Sequence, residues 1–249
     1  MLLHRRFLNA HFHLSPTQVG IPNDRPRYYG VAVRSRKENN VRGDSFQKLF
    51  FPKQVASDKE SELLINTHTQ YFGKKIIALP PISEFLDNDA RMESLRVPKK
   101  VLSSSASWCF DIVTPSYNRS SCFTQSYGHF VRGTGSVLYV GKQEAGSGNN
   151  EEVGPERFQL IPPDQRKYDK NWADGLNLEK NLRYFSGTEI ARLMGFPTLK
   201  DSSVDKGKKR IFSFPSSCTL KQQRKLMGNS LNVRVAAQVA EVGLRMIDD

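Results

Sequence analysis

The chain has 249 residues and a mass of 28.3 kDa, room for one large domain or one and a half ordinary ones. With 38% apolar and 25% charged residues it can build a packed core, which argues against wholesale disorder. Lys and Arg total 37 against 25 acids, a net charge of +12; a polyanionic partner and a merely soluble basic protein explain that charge equally well.

The first residues do not read as a leader, because Arg5 and Arg6 interrupt the apolar stretch and no small-residue cleavage site follows. No run approaches the roughly 18 apolar residues of a membrane span, so no membrane association is expected. Cys109, Cys122 and Cys218 lack Cys-x-x-Cys spacing and fit a reducing compartment, cytoplasmic or nuclear, rather than a disulfide or zinc scaffold. The charge is uneven: residues 1–60 carry 11 basic and 5 acidic side chains and residues 181–215 carry 7 and 3, whereas 151–180 reverse the sign with 5 and 7. If the two basic segments meet, they form one positive face.

Tyr28–Val33 is rich in β-formers and predicts a strand, entered from an extended segment fixed by Pro22 and Pro26. Polar residues 34–44 predict a loop. Trp108–Val113 predicts a second strand, closed by Pro115. Phe130–Gly135 has three small or turn-forming residues but is followed by strand-like Ser136–Val140, so it reads as a turn rather than a cofactor loop, which needs a helix start behind it. Residues 141–155 and 198–210 predict loops; Lys206–Arg210 within the second is a solvated segment, a nuclear address or a phosphate contact.

Helices concentrate at the C-terminus. Ser186-Gly187-Thr188-Glu189 is a capping box ahead of Ile190, Leu193 and Met194, and Gly195 with Pro197 ends that helix. Thr219–Gln222 is a second capping box, with Gly228 as its stop. Asn229 or Ser230 then caps a third helix running to about Ile247. Arg234, Gln238, Glu241 and Arg245 form its polar stripe, and the rest predicts burial over most of its circumference.

Scattered histidines without His-x-x-x-His spacing predict no metal site. Arg25 and Arg27 alternate on an extended stretch and so are expected on one side, suited to a carbonyl oxygen or a phosphate, though a plain strand edge explains them as well.

Gly20–Tyr29 resembles the arginine-bearing motif of cytosine-5 methyltransferases, usually Gln-x-Arg-x-Arg after Gly-Val-Pro, with Asn23 here in place of Gln. Arg183–Pro197 is similar to that family's penultimate motif, with Ser186-Gly187-Thr188-Glu189 where Thr-Pro-Arg-Glu is usual. Gln223–Val233 resembles its last motif. Residues 122–138, opening on Cys122-Phe123-Thr124, are similar to the branch that acts on tRNA rather than DNA. The family's Phe-x-Gly-x-Gly cofactor loop, Pro-Cys-Gln nucleophile and Glu-Asn-Val acid do not occur in these residues. The chain therefore looks like the C-terminal half of such an enzyme, truncated, and is expected to be inactive alone.

The resemblance implies an α/β fold, a partial Rossmann-like S-adenosylmethionine-dependent methyltransferase domain with a mixed target-recognition domain. Residues 1–34 and 183–249 are expected to form the C-terminal part of the catalytic domain, and 35–182 the target-recognition domain. In the family's reaction a thiolate adds to cytosine C6, a glutamic acid assists at N3, and C5 takes the methyl group from S-adenosylmethionine. The resemblance assigns Arg25 and Arg27 to the cytosine O2, Cys122, Phe123 and Thr124 to the substrate, and Asn229 and Ser230 to the methionine end of the cofactor, with Ser230 at a helix start. No catalytic nucleophile is assigned. The implied partner is tRNA. The alternatives are a DNA methyltransferase relative and a non-catalytic RNA-binding or regulatory module.

Overall fold

Phe12 and Leu14 alternate with His11 and His13, and a period of two sends the two pairs to opposite faces of a strand. The computed structural model describes residues 7–34, 78–87, 92–141, 163–168, 173, 177–198 and 211–248. In it, β1 (Phe7–Leu14) pairs antiparallel with β2 (Arg27–Arg34), Phe12 opposite Tyr29 and Leu14 opposite Arg27. Phe12 and Leu14 are buried, whereas His11 stacks on the exposed Tyr28 ring on the outer face. β2 contains the expected strand; β1 was not expected as one.

The second sheet has β4 (Ser136–Tyr139) at its centre, parallel to β3 (Asp111–Val113) and antiparallel to β5 (Leu182–Arg183). All four residues of β4 are buried, as a central strand requires. The strand expected from Trp108 is shorter than its sequence suggests. The Cys109 and Phe110 amides donate to Ala106 and Ser107 carbonyls in a 3-10 turn, so pairing begins only at Asp111.

Among the described residues, four one-turn helices punctuate the loops: α1 (Met92–Leu95), α2 (Lys99–Leu102), α3 (Pro163–Arg166) and α4 (Leu178–Asn181). The C-terminal helices follow their capping signals. In α5 (Gly187–Leu193) the Ser186 hydroxyl accepts from the Glu189 amide while the Glu189 carboxylate accepts from the Ser186 amide, and Gly195 at φ 77° follows the helix end. Thr219 and Gln222 repeat that box at α6 (Leu220–Asn229).

α7 (Val233–Asp248) lies across β2, with Val235, Val239 and Val242 buried and the Gly243 Cα so close to Val31 that a Cβ would stand 2.9 Å from its methyl. Its burial is narrower than the sequence predicts. Among the described residues the two-stranded hairpin covers one side of it, and Ala237, Ala240 and Leu244 are exposed, Leu244 by 64%. One continuous core joins hairpin and second sheet, from Phe12 and Ile21 through Phe123 and Phe185 to Leu138 and Val235. Of the predicted loops at 34–44, 141–155 and 198–210, all but Arg34, Gly141 and Thr198 lie outside the described residues, Lys206–Arg210 included, as does much of the two basic segments.

Candidate functional site

The loop Ile21–Pro26 is not yet strand when it passes the second sheet. It is zipped along Ser120–Cys122: the Asp24 amide donates to Ser120 O at 2.7 Å, and buried Asn23 donates through Nδ2 to Ser120 Oγ at 3.1 Å and Ser121 O at 2.9 Å. Ser120 Oγ in turn donates to Pro22 O. The Asp111 carboxylate accepts from the hydroxyls of Ser121 and Ser136, so this loop is registered on the edge of β3 and β4.

Arg25 sits at the end of that zipper, 3% exposed. Its Nη1 donates to Cys122 Sγ at 3.0 Å and Phe123 O at 2.6 Å, and its Nη2 to Gly228 O at 2.8 Å and Ser230 O at 2.9 Å. All four terminal N–H groups are thereby spent inside the protein. The two carbonyls at 228 and 230 lie where α6 ends and α7 has not begun, at the negative end of the α6 dipole, where a cation is favoured. One guanidinium thus ties together the arginine loop, the Cys122–Thr124 segment and the α6–α7 junction.

Arg27, two residues on, is exposed and, among the described residues, donates only to its neighbour, Pro26 O, at 3.1 Å. The expectation that Arg25 and Arg27 share one face is corrected here. Alternation holds within a strand, and Arg25 precedes β2, so the first guanidinium turns inward and the second outward. Both stay close enough to act on Tyr29, whose phenol pKa is raised by burial and pulled partly back by Arg27 and then Arg25.

Phe123 is buried in an aromatic cluster with Tyr127 and Phe185, while Cys122 and Thr124 are half-buried. The backbone of Thr124 and Gln125 presses on Gly228: a Cβ there would stand 2.1 Å from Gln125 N and 2.2 Å from Thr124 C. Only glycine permits that approach. Arg224, on the same helix, spans the Tyr127 and Tyr184 rings at 5.3 and 4.9 Å and donates to Phe185 O. Burial lowers its pKa, and burial raises that of Tyr127, whose hydroxyl donates to Ser136 O and accepts from the Phe185 amide.

Asn229 and Ser230 lie at the same junction, but not where a helix begins. Ser230 is the C-cap of α6, and its hydroxyl donates back to Leu226 O. α7 is instead capped by Asn232, whose Oδ1 accepts from the Arg234 and Val235 amides. The expected placement of Ser230 at a helix start is therefore corrected. Asn229 is exposed, and among the described residues its amide has no partner.

Of the residues singled out from sequence, Arg25, Cys122, Phe123, Thr124 and the Gly228–Ser230 turn meet, with Arg27 on the rim. Gly228, the Arg224 stack and the buried Arg183–Glu189 pair, with two bonds of 2.8 Å, were missed as site supports. Gly228 carried a signal, standing mid-motif between Met227 and Asn229, but as a helix stop rather than a contact.

Residues 11–244 match the C-5 cytosine-specific DNA methylase family. The chain is 30% identical, over an alignment of 275 residues, to the tRNA (cytosine(38)-C(5))-methyltransferase of Mus musculus, covering 95% of this chain and 60% of that protein. It is 29% identical to a DNA (cytosine-5)-methyltransferase of Dictyostelium discoideum over 93% of this chain and 55% of that one. The crystal structure of the S. pombe Dnmt2 methyltransferase superposes with a TM-score of 0.62 at 26% identity, over 98% of this chain and 59% of its own. The chain thus spans about 60% of the length of the relatives it matches. Because the family match runs from residue 11 to residue 244, it embraces every segment that Arg25 ties together: the chain belongs to the C-5 cytosine-specific DNA methylase family.

Proposed function

We propose that this chain is the target-binding part of a tRNA cytosine-5 methyltransferase. The observation that carries the reading is the Arg25 junction, which locks the Cys122-Phe123-Thr124 segment to the α6–α7 turn while leaving the Arg27 guanidinium exposed beside it. In this reading Arg27 donates to the O2 of a cytosine taken out of its stack and balances negative charge developing there. Arg25 acts as a positioning residue, and Cys122, Phe123 and Thr124 form the wall against which the base is held. Residues 35–182 act as the target-recognition domain, and 1–34 with 183–249 as the C-terminal part of the catalytic domain.

S-adenosylmethionine, when bound, supplies an electrophilic methyl group. Asn229 would hold its methionine end through an uncommitted side-chain amide. The chain holds no Pro-Cys dipeptide, so these residues bind and orient without forming the covalent bond to C6, and alone they do not methylate. The test is radiolabelled methyl transfer from S-adenosylmethionine to unmodified tRNA by the purified chain. Incorporation at background supports the reading; incorporation that disappears in Cys122→Ala overturns it.

The Dictyostelium relative, named for DNA, favours duplex DNA as the second reading. Preferential binding of duplex DNA over tRNA by the chain would select it.

A further inference from the structure

Among the described residues phenylalanine is mostly buried in the core or packed against it, yet Phe130 is 60% exposed. It stands on the turn between Ser126 and Gly135, flanked by exposed His129 and Arg132. The turn is not loose. The His129 and Phe130 amides donate to Ser126 O at 2.9 and 3.3 Å, and Thr134 Oγ1 donates to Phe130 O at 2.7 Å. Gly128 and Gly133 take φ of 80° and 67°, which fixes the two bends. The His129 ring meets Phe130 edge-on, 4.5 Å between centroids at 68°, holding the ring's orientation while most of its surface stays in solvent.

The root of the turn belongs to the site. The Thr124 amide donates to Thr134 O at 2.9 Å, Tyr127 packs on Phe123, and Thr124–Gln125 abuts Gly228. A rigid aromatic is therefore mounted on the frame that carries Cys122-Phe123-Thr124. Leaving a phenylalanine this exposed forgoes much of the free energy its burial would supply. An isolated ring between a histidine and an arginine is not an apolar patch for a protein partner; it has the form of a stacking platform beside a phosphate contact.

We infer that this turn binds a single-stranded nucleotide of the RNA substrate, one base stacking on Phe130 and the adjoining phosphate meeting Arg132. The inference rests on the tRNA reading and adds a specificity element to it. Single-stranded loops present unstacked bases to aromatic side chains, whereas paired duplex does not, so the contact selects a loop over a stem.

The test uses the 249-residue chain and an unmodified tRNA anticodon stem-loop carrying 5-iodouridine at successive loop positions. Irradiation of the wild type should join one loop position to Phe130, mapped by mass spectrometry. Phe130→Leu should lose that adduct and weaken stem-loop binding by roughly 5- to 150-fold, the range for losing one base–aromatic stack, with an unchanged circular dichroism spectrum. Phe130→Tyr should retain both. Arg132→Gln should keep the adduct and reduce the salt dependence of binding by about one phosphate contact. Wild-type binding that Phe130→Leu leaves intact, or crosslinking confined to other residues, overturns this inference and leaves the tRNA reading standing. A wild type that does not bind the stem-loop overturns both.

Discussion

Replacing Arg25 with methionine keeps much of its length and apolar stem while deleting every donor of the guanidinium. Three carbonyls, those of Phe123, Gly228 and Ser230, then lose partners at 2.6, 2.8 and 2.9 Å in a site only 3% exposed. Bonds to a charged donor contribute roughly 1.5–3 kcal/mol each. The full sum overstates the loss, because among the described residues this buried arginine has no carboxylate bonded to it and its Nε has no acceptor, and such burial already costs several kcal/mol. The net loss should be about 3 kcal/mol. Arg25→Lys should recover part of it, since an ammonium donates to one or two of these carbonyls but cannot fork across both segments. Urea unfolding followed by circular dichroism reads the total, and amide hydrogen exchange locates it, with faster exchange expected across residues 228–235. Arg27→Gln is the contrast, within about 0.5 kcal/mol of wild type because its guanidinium is exposed. If Arg25→Met unfolds at the same urea concentration as Arg27→Gln, Arg25 does not fasten the junction and the positioning argument fails.

Gly228→Ala should lower the melting temperature: the helix gains about 1 kcal/mol in propensity, but a Cβ would stand 2.1 Å from backbone that must move, and overpacking of this kind costs roughly 1–3 kcal/mol. Arg183→Met should lose about 3–5 kcal/mol by stranding the buried Glu189 carboxylate, and adding Glu189→Gln should restore part of that stability rather than deepen the loss, as a double-mutant cycle in urea would read. Tyr127 has its pKa raised in the folded state by burial. Its contribution is therefore fully present below the unfolded tyrosine value of about 10 and lost as pH rises above it, because the unfolded phenol releases its proton first. Tyr127→Phe should unfold at lower urea at pH 8 and show a shallower further decline between pH 9 and 11.

Local signals were legible in the sequence. The capping boxes at Ser186 and Thr219 need only four residues each, and β2 and β4 announce themselves by composition. β1 was hidden because its outward positions are His11 and His13, which are not usual strand residues. At the α6–α7 junction Asn229, Ser230 and Asn232 all have cap-forming side chains, and packing against Met194 and Leu193, whose carbonyls accept from the Val233 amide and Asn232 Nδ2, selects Asn232. The roles of Arg25 and Arg27 separate for a similar reason. The partners that draw Arg25 inward lie 97 to 205 residues away in the chain, and no periodicity within Arg25-Pro26-Arg27 encodes them.

The account's central claim is that the exposed face around Arg27 takes a tRNA. Equilibrium titration of the purified chain with unmodified tRNA and with duplex DNA of matched length, at two salt concentrations and repeated with Arg27→Gln, tests it most directly. The account predicts tighter binding of tRNA than of DNA at both salts, weakened by Arg27→Gln with no change in melting temperature. Tighter binding of the duplex, or tRNA binding indifferent to Arg27→Gln, would contradict it.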